Sequence, residues 1–395
     1  MNDQTPDLSR RHFLQTTGAL GVGAMLFRSP LWAADEAPPK VAKKKFGKTG
    51  FEVSHLGAGL MFDTRNAEVV LRTAHNHGVL YWDTAAGYER MGSETGIGTF
   101  FEKNPEVRKD IFLITKGRGD LAKSLDGSLS RMKTDHVELF FVHGIDDISA
   151  ITRPEVKAFA EKAKKDGKIK LFGFSAHSNM AGCLSGAAKL DWIDGAMITY
   201  NYREMHKPEM KSALDACEKA GIGVTAMKTL GGRSGSDTPE QAALLAPITD
   251  RGFSPAQAKL KAVMENPQIA VACVQMPNMK FCRENIAAAL DRKELGSLAR
   301  NALDRHAEAT CDRYCAGCSH LCGAAVAGAV PVRDVMRHLM YYHNYAELDA
   351  RALFREVPAE VRARLTQVDY SAAERVCPHR LPIAHLMREA SVLLA

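Results

Sequence analysis

The sequence lacks a strong excess of charge of either sign. Its 52 lysines and arginines nearly balance its 46 aspartates and glutamates, which leaves a formal net charge of +6 over 395 residues. The sharpest basic run is Lys43-Lys44-Lys45, which is more typical of a solvated junction than of a surface that binds a polyanion. The composition therefore gives no indication of a nucleic-acid partner, and we expect none.

Long hydrophobic runs are also scarce near the N-terminus. The apolar run Gly18–Phe27 is too short for a permanent bilayer-spanning helix, which takes about 20 residues. It follows the stretch SRRHFL and precedes the small residues Ala33 and Ala34, an order typical of a twin-arginine signal with a cleavage site. We therefore predict that residues 1–34 are a twin-arginine signal peptide, that the twin-arginine translocase acts during export, and that the protein is periplasmic or otherwise exported. The alternative is a disordered N-terminus with a chance arginine pair.

Strand-like and helix-like segments alternate along most of the remaining chain. Eight strand candidates, the first short and rich in glycine, are separated by segments with helical periodicity. This alternation is typical of parallel βα units, and eight of them favour a closed (β/α)8 TIM barrel over an open two-sided sheet. Such a barrel uses roughly 250 residues, so we assign it to residues 45–292. A C-terminal extension is predicted over residues 300–395.

Prolines and glycines support the predicted helix boundaries. Pro154, Pro208 and Pro255 stand near helix starts, where a missing N–H group costs nothing. Gly167 and Gly221 stand near helix ends, where a left-handed cap is expected.

Four polar residues of the kinds used in catalysis follow consecutive apolar runs. They are Asp83, Tyr88 in the loop after it, Lys116 and His143. Because the C-terminal ends of parallel barrel strands share one face, we expect these side chains to meet there. Each also has a structural interpretation: a helix cap, a loop aromatic over the barrel mouth, a solvated lysine and a core histidine.

The stretches YWDTAAGY, FLITKG and LFFVHGID resemble the aldo/keto reductase family, and the resemblance extends along residues 45–290. It implies hydride transfer between a carbonyl and an alcohol, on a sugar or another small carbonyl compound, with Asp83, Tyr88, Lys116 and His143 as the catalytic tetrad. A free tyrosine, with a pKa of about 10, is a poor acid near neutral pH. We expect Lys116 to lower the pKa of Tyr88, the general acid and base, while Asp83 holds Lys116 and His143 orients the carbonyl.

The resemblance also implies a nicotinamide site at the ends of the later strands. The matching elements imply six cofactor-binding residues: Ser175, Asn201, Lys228, Asn278, Arg283 and Asn285. Three positions depart from the family pattern, since Ala176 replaces an asparagine, Met197 a glutamine, and Asn278 a lysine that binds the 2′-phosphate. The choice between NADP, NAD and neither therefore stays open.

Cysteines cluster in the predicted extension. Cys315, Cys318 and Cys322 follow the spacing C-x2-C-x3-C, and Cys377 comes later, directly before a proline. Three near cysteines and a remote Cys-Pro are the ligand pattern of 4Fe-4S clusters in bacterial ferredoxins. The extension is also similar to the helical ferredoxin-like domain of an iron–sulfur subgroup of aldo/keto reductases. We therefore predict one 4Fe-4S cluster, held by Cys315, Cys318, Cys322 and Cys377.

Other interpretations of these features stay open. Zinc suits four thiolates equally well, and His320 or His343 could join such a site. Cys311 is a candidate fifth thiolate or alternative ligand, and cysteines without any metal are the structural alternative. Two other functional hypotheses are a redox enzyme that takes electrons from the cluster and an electron-transfer partner, and a non-catalytic barrel with a structural metal site.

Overall fold

The computed structural model describes residues 37–232, 237–318, 321–345 and 349–395. The predicted signal peptide, residues 1–34, lies outside the described residues. In the part of the chain that is described, no helix is both long and apolar enough to span a membrane.

A closed barrel forms the centre of the described structure. An antiparallel hairpin of β1 (Lys43–Lys45) and β2 (Glu52–Ser54) precedes it. Eight parallel strands of the described chain then pair in the order β10-β3-β4-β5-β6-β7-β8-β9 and close the barrel. They are β3 (Leu56–Gly59), β4 (Tyr81–Asp83), β5 (Phe112–Gly117), β6 (Val137–Ile145), β7 (Ile169–Ala176), β8 (Gly195–Thr199), β9 (Gly223–Met227) and β10 (Val271–Gln275). The predicted (β/α)8 TIM barrel is therefore confirmed.

Helices connect the strands and surround the barrel. They are α1 (Glu68–Asn76), α2 (Gly92–Lys103), α3 (Leu121–Met132), α4 (Ser149–Thr152), α5 (Pro154–Lys165), α6 (Met180–Ala187), α7 (Pro208–Ala220), α8 (Pro239–Ala243), α9 (Ala246–Thr249), α10 (Pro255–Met264), α11 (Met279–Leu290) and α12 (Gly296–Ala309). Short 3₁₀ segments lie at Thr64–Asn66, Tyr88–Met91, Pro105–Asp110 and Cys311–Arg313. The prolines predicted at helix starts are the first residues of α5, α7 and α10, and Gly221 caps α7 with a φ of 74°.

The hairpin closes the N-terminal end of the barrel. Phe46, in the turn between β1 and β2, is fully buried and lies 5.8 Å, centroid to centroid, from Phe112 at the start of β5. Gly195 and Gly223, the first residues of β8 and β9, make room for it, because a Cβ atom at either position would lie within 3 Å of the Phe46 ring. The opposite, C-terminal end of the barrel is therefore where a site can form.

A helical extension follows the barrel and has a hydrophobic core of its own. Its helices are α13 (Leu321–Ala325), α14 (Val332–Tyr345), α15 (Asp349–Glu356), α16 (Ala359–Arg362), α17 (Ser371–Val376) and α18 (Ile383–Leu393). Side chains such as Leu339, Phe354 and Met387 pack together there, separately from the barrel core. The helical C-terminal extension expected from the sequence is present.

The extension reaches the C-terminal end of the barrel. The N–H group of Asn179, just after β7, donates to the carbonyl oxygen of Gly317 at 2.6 Å. Asp146, just after β6, pairs with Arg333 of α14 at 2.7 Å. Both contacts come from loops at strand ends, so the extension lies beside the face on which the predicted tetrad was expected.

Candidate active site

The structure brings the predicted tetrad together at the C-terminal end of the barrel. The ammonium of Lys116 lies 2.6 Å from Oδ1 and 2.8 Å from Oδ2 of Asp83, with hydrogen-bond geometry to Oδ2. It also donates to the carbonyl oxygen of Thr84 at 2.9 Å and lies 3.3 Å from the hydroxyl oxygen of Tyr88. The His143 ring meets the Tyr88 ring edge-on, with centroids 5.8 Å apart.

Lys116 and Asp83 form a buried ion pair. Lys116 is 1% exposed and Asp83 is 5% exposed. Burial disfavours the ammonium, but attraction from Asp83 and from Tyr88 outweighs it and holds the pKa of Lys116 above its ordinary value. Burial likewise raises the pKa of Asp83, and Lys116 opposes that rise. Lys116 is therefore a fixed cation beneath the Tyr88 hydroxyl at neutral pH.

The two other tetrad members are neutral. Burial raises the pKa of Tyr88 above its ordinary value, Lys116 opposes that rise, and the negative charge of Asp83 adds to it. Lys116 thus lowers the pKa of Tyr88, as expected, but burial has the larger effect and was not anticipated from the sequence. Burial, with Lys116 and Arg118 adding to it, holds the pKa of His143 well below its usual range. The site thus presents a protonated phenol and a neutral imidazole to a substrate.

Two predicted cofactor residues lie at the same end of the barrel, but their side chains form hydrogen bonds to other parts of the protein. The hydroxyl of Ser175, in β7, accepts a hydrogen bond from the N–H group of Gly144 at 2.9 Å. Asn201, just after β8, donates through Nδ2 to the carbonyl oxygen of Lys228 at 3.1 Å and to the hydroxyl of Tyr314 at 3.2 Å. The Asn201 amide therefore connects the barrel to Tyr314, the residue directly before Cys315.

Three other predicted cofactor residues lie around the N-terminal half of α11, whereas Lys228 directly follows β9. Asn278 caps this helix, because its Oδ1 accepts from the N–H group of Phe281 at 3.2 Å. Asn285 is buried and donates to the carbonyl oxygen of Gln275 at 3.1 Å, whereas Arg283 is exposed. The start of a 12-residue helix with an exposed arginine nearby is suited to an anionic group such as a cofactor phosphate.

The four predicted cluster ligands line one pocket of the extension. Cys315, Cys318, Cys322 and Cys377 surround it, and we call it the cysteine pocket. Arg333 also lines it, and the buried Nη1 of this arginine has no hydrogen-bond partner. Among the described residues, no group of three or more Cys, His, Asp or Glu side chains that could hold a metal ion is found.

Other residues considered for the metal site are placed differently. Within the described chain, Cys311 and His343 are not among the residues that line the cysteine pocket. The Nε2 atom of His343 lies instead 2.8 Å from Glu389. His320 lies outside the described residues. His379, which the sequence interpretation overlooked, does line the pocket.

The sequence interpretation also missed the residues that the extension contributes at the C-terminal end of the barrel. Arg333, Arg337 and Tyr341 lie one turn apart on the same face of α14. The Tyr341 ring centre lies 5.1 Å from the Arg337 guanidinium and 4.4 Å from the ammonium of Lys228, just after β9. Their spacing of four residues was the signal that could have identified this face.

Comparisons with known proteins agree with the geometry of the barrel. The sequence profile described as the aldo/keto reductase family matches residues 53–300. Uncharacterized oxidoreductase YrpG of Bacillus subtilis is 28% identical over 218 residues, which cover 47% of this chain and 65% of that protein. Aldo-keto reductase yakc of Schizosaccharomyces pombe, whose name specifies NADP(+), is 28% identical over 182 residues, covering 42% of this chain and 52% of that protein. The chain thus spans about half to two thirds of the length of these relatives.

A solved structure shows the same fold. The crystal structure of an aldo-keto reductase from Klebsiella pneumoniae in complex with NADPH aligns with a TM-score of 0.56 and 21% identity, covering 67% of this chain and 94% of that one. The family profile extends over more than half of the chain and includes β4, β5 and β6, whose ends carry the tetrad. The chain therefore belongs to the aldo/keto reductase family.

Proposed function

We propose that this protein is an oxidoreductase that interconverts a carbonyl and an alcohol by hydride transfer, with Tyr88 as general acid and base. The observation that carries the proposal is the buried Lys116 ammonium, 2.8 Å from the Asp83 carboxylate and 3.3 Å from the Tyr88 hydroxyl. A phenol beside a fixed cation can give its proton to a developing alkoxide, because the phenolate left behind is stabilised. Small carbonyl compounds, sugars among them, are the proposed substrates.

The roles of the tetrad in reduction follow from their charges. Tyr88 transfers its hydroxyl proton to the carbonyl oxygen as hydride reaches the carbon, and it later regains a proton from solvent. Lys116 balances the phenolate in between, and Asp83 keeps Lys116 in place. Neutral His143, edge-on to Tyr88, positions the carbonyl oxygen by donating a hydrogen bond.

A nicotinamide cofactor supplies the hydride in this proposal. Its phosphates fit the start of α11 and the cations Lys228 and Arg283. Its carboxamide fits less well, because Ala176 and Met197 offer no amide and the amide of Asn201 is already bonded to Tyr314 and Lys228. These substitutions support a second candidate function, in which the same tetrad serves a reaction fed with electrons from the cysteine pocket and an external electron-transfer partner.

Titration of signal-free protein with NADPH and NADH separates the two candidates. We expect nicotinamide fluorescence to change saturably with one of them, and the same cofactor to be oxidised when a panel of aldehydes and aldoses is added. Turnover that requires a reduced dye and no nicotinamide would support the second candidate instead. Absence of turnover with either reductant, across the panel, would leave a non-catalytic barrel.

We further propose that the cysteine pocket holds one 4Fe-4S cluster, on Cys315, Cys318, Cys322 and Cys377. A zinc ion needs its thiolates about 2.3 Å away on all sides, whereas a cluster binds each thiolate through a different iron and keeps them further apart. Four cysteines share the pocket, which is one thiolate for each iron of such a cluster. The unpartnered Nη1 of Arg333 also fits, since a thiolate-ligated cluster is anionic and accepts hydrogen bonds.

Cysteine variants test the cluster directly. Protein purified without oxygen is expected to show a visible absorption band that dithionite bleaches, and to lose the band and its iron in Cys318→Ser. Cys311→Ser is the matched control, because Cys311 is a half-buried cysteine of the same segment that does not belong to the described pocket lining. A colourless protein with one zinc per chain, or equal iron loss in both variants, would contradict this assignment.

Export by the twin-arginine pathway completes the proposal. This pathway moves proteins that are already folded, which suits a chain whose cofactor is inserted in the cytoplasm. The supporting observation is the order of the arginine pair, apolar run and small residues in residues 1–34.

A further inference from the structure

Helix α14 presents two arginines to the cysteine-bearing segment of the extension. Arg333 and Arg337 are four residues apart, so their side chains leave the helix on the same face, one turn from each other. Arg333 lines the cysteine pocket, and Arg337 contacts the backbone of the segment that carries Cys315 and Cys318. Neither arginine has a part in the proton and hydride transfer proposed above.

Arg333 has one nitrogen atom left for a group inside the pocket. Its Nη2 atom donates to Asp146 at 2.7 Å, and its Nε atom donates to Asp334 at 3.0 Å. The third nitrogen, Nη1, is buried and has no hydrogen-bond partner. A buried N–H group without an acceptor is costly, so Nη1 calls for an acceptor that the described protein atoms do not supply. Because Arg333 lines the cysteine pocket, a group bound in that pocket can supply it.

Arg337 is a buried guanidinium without an ion-pair partner among the described residues. It is 5% exposed, and its Nη atoms donate to the carbonyl oxygen of Cys315, at 3.2 Å, and to the hydroxyl of Tyr341. It also lies against Gly317, where a Cβ atom would come within 3 Å of the guanidinium. Buried charges are normally paired, because removing them from water is costly. The charge of Arg337 is thus placed beside the loop that carries two of the four pocket cysteines.

The residues around these arginines also contact the barrel. Asp146, the acceptor of Arg333, directly follows β6, the strand that contains His143. Asn179, just after β7, donates its backbone N–H group to the carbonyl oxygen of Gly317 at 2.6 Å. Its side-chain amide donates to the carbonyl oxygen of Asp146 at 2.9 Å. The barrel therefore positions both the arginine that lines the pocket and the cysteine loop beside it.

An iron–sulfur cluster in the pocket gives both arginines a use. Such a cluster is anionic, and its reduction adds one electron and with it one more negative charge. Hydrogen bonds to its sulfur atoms and its net charge are two of the properties that set its reduction potential. A guanidinium beside it stabilises the reduced form more than the oxidised form, because the attraction between opposite charges grows with the charge. Zinc, the alternative occupant, has no reduction step that the arginines could influence.

We infer that Arg333 and Arg337 raise the reduction potential of the cluster, which therefore accepts an electron and is more than a structural centre. This inference rests on the proposed cluster and adds to it a redox role and the two residues that control it. Arg333 acts through a charge-assisted hydrogen bond from Nη1, and Arg337 acts through its buried positive charge. The step is the gain of one electron by the iron–sulfur core from a reduced one-electron carrier, with no proton transferred and no ligand exchanged.

An anaerobic redox titration of the protein purified with its cluster tests this inference. Dithionite is the titrant, mediator dyes set the potential, and bleaching of the visible band gives the midpoint. Arg333→Gln and Arg337→Gln are each expected to lower the equilibrium constant for reduction about tenfold, which is about 59 mV for one electron. Arg333→Lys keeps the positive charge but loses the planar fork of donors, so its midpoint is expected to lie between those of the parent and Arg333→Gln.

Arg362→Gln is the matched control. Arg362 belongs to the same extension and, like Arg337, donates to a backbone carbonyl oxygen, that of Val357, but it is not among the described residues that line the pocket. Its loss removes the same charge and is expected to leave the midpoint unchanged. The iron content of each variant shows that the compared proteins carry the cluster. If Arg333→Gln loses its iron, Arg333→Lys and Arg337→Gln still give a midpoint.

Three results would overturn the inference. They are an unchanged midpoint in every iron-containing variant of Arg333 and Arg337, an equal decrease in Arg362→Gln, and a visible band in the parent protein that dithionite does not bleach. A parent protein purified without oxygen and without iron would instead remove the proposed cluster itself, and the inference with it.

Discussion

Replacing Tyr88 with phenylalanine is expected to lower kcat about 10²- to 10⁴-fold, the usual contribution of a general acid, while the protein stays folded. The variant removes one hydroxyl and keeps the ring that meets His143 edge-on at 5.8 Å. Without the hydroxyl, the site loses the proton donor that lies 3.3 Å from the Lys116 ammonium. Steady-state rates with the best carbonyl substrate, and the melting temperature, measure the two parts of this expectation.

Tyr81→Phe is the matched control for this variant. Tyr81 lies two residues before Asp83 in β4, and its buried hydroxyl bonds Thr225 at 2.8 Å inside the barrel. Its loss is expected to cost about 1 kcal/mol of stability and to leave kcat nearly unchanged. If Tyr88→Phe kept full activity, Tyr88 would have no part in the proton transfer; if both variants lost activity equally, general damage to the barrel would explain the loss.

Replacing Lys116 with methionine is expected to lower the free energy of unfolding by about 3–5 kcal/mol, because Asp83 would be left as a buried carboxylate without its partner. Both side chains are almost completely buried, so water cannot replace the ammonium. Adding Asp83→Asn to Lys116→Met is expected to restore much of that stability, since the double variant buries no unpaired charge. Urea unfolding of the parent, the single variants and the double variant measures the coupling.

An exposed ion pair of the same kind provides the comparison. Lys168 lies 2.6 Å from Asp126, but these side chains are 40% and 57% exposed. Lys168→Met is therefore expected to change stability by at most about 1 kcal/mol. If Lys116→Met also lowered the free energy of unfolding by at most about 1 kcal/mol, Asp83 would have to be protonated or hydrated in the folded protein, contrary to the buried ion pair described above.

The barrel could be predicted from the sequence because its signals are local. Apolar runs of strand length, helical periodicity and prolines at helix starts recur along the chain, and each depends on residues that are neighbours in sequence. The tetrad could be predicted for the same reason, since Asp83 and Lys116 stand at strand ends that a parallel barrel brings to one face. His143 was predicted to follow the end of its strand, but it lies within β6, because this strand continues through an irregular register to Ile145.

The contacts between the barrel and the extension could not be predicted, because they depend on how distant parts of the chain meet. No local pattern shows that Tyr314 bonds Asn201, more than 100 residues away, or that Arg337 comes to lie near Lys228. The direction of the Tyr88 pKa shift was also beyond the sequence. It results from a balance between burial and a cation whose charge Asp83 already offsets, and both depend on tertiary packing.

The hydrogen bond between Asn179 and Gly317 joins the turn between two cysteines to a loop of the barrel mouth. Gly317 has a φ of 62°, and a side chain there would collide with Arg337. Gly317, which lines the cysteine pocket, thus contacts both a loop of the barrel and the Arg337 side chain. If the proposed cluster forms, its loss is expected to displace the loop after β7 and so to change the end of the barrel at which the tetrad lies.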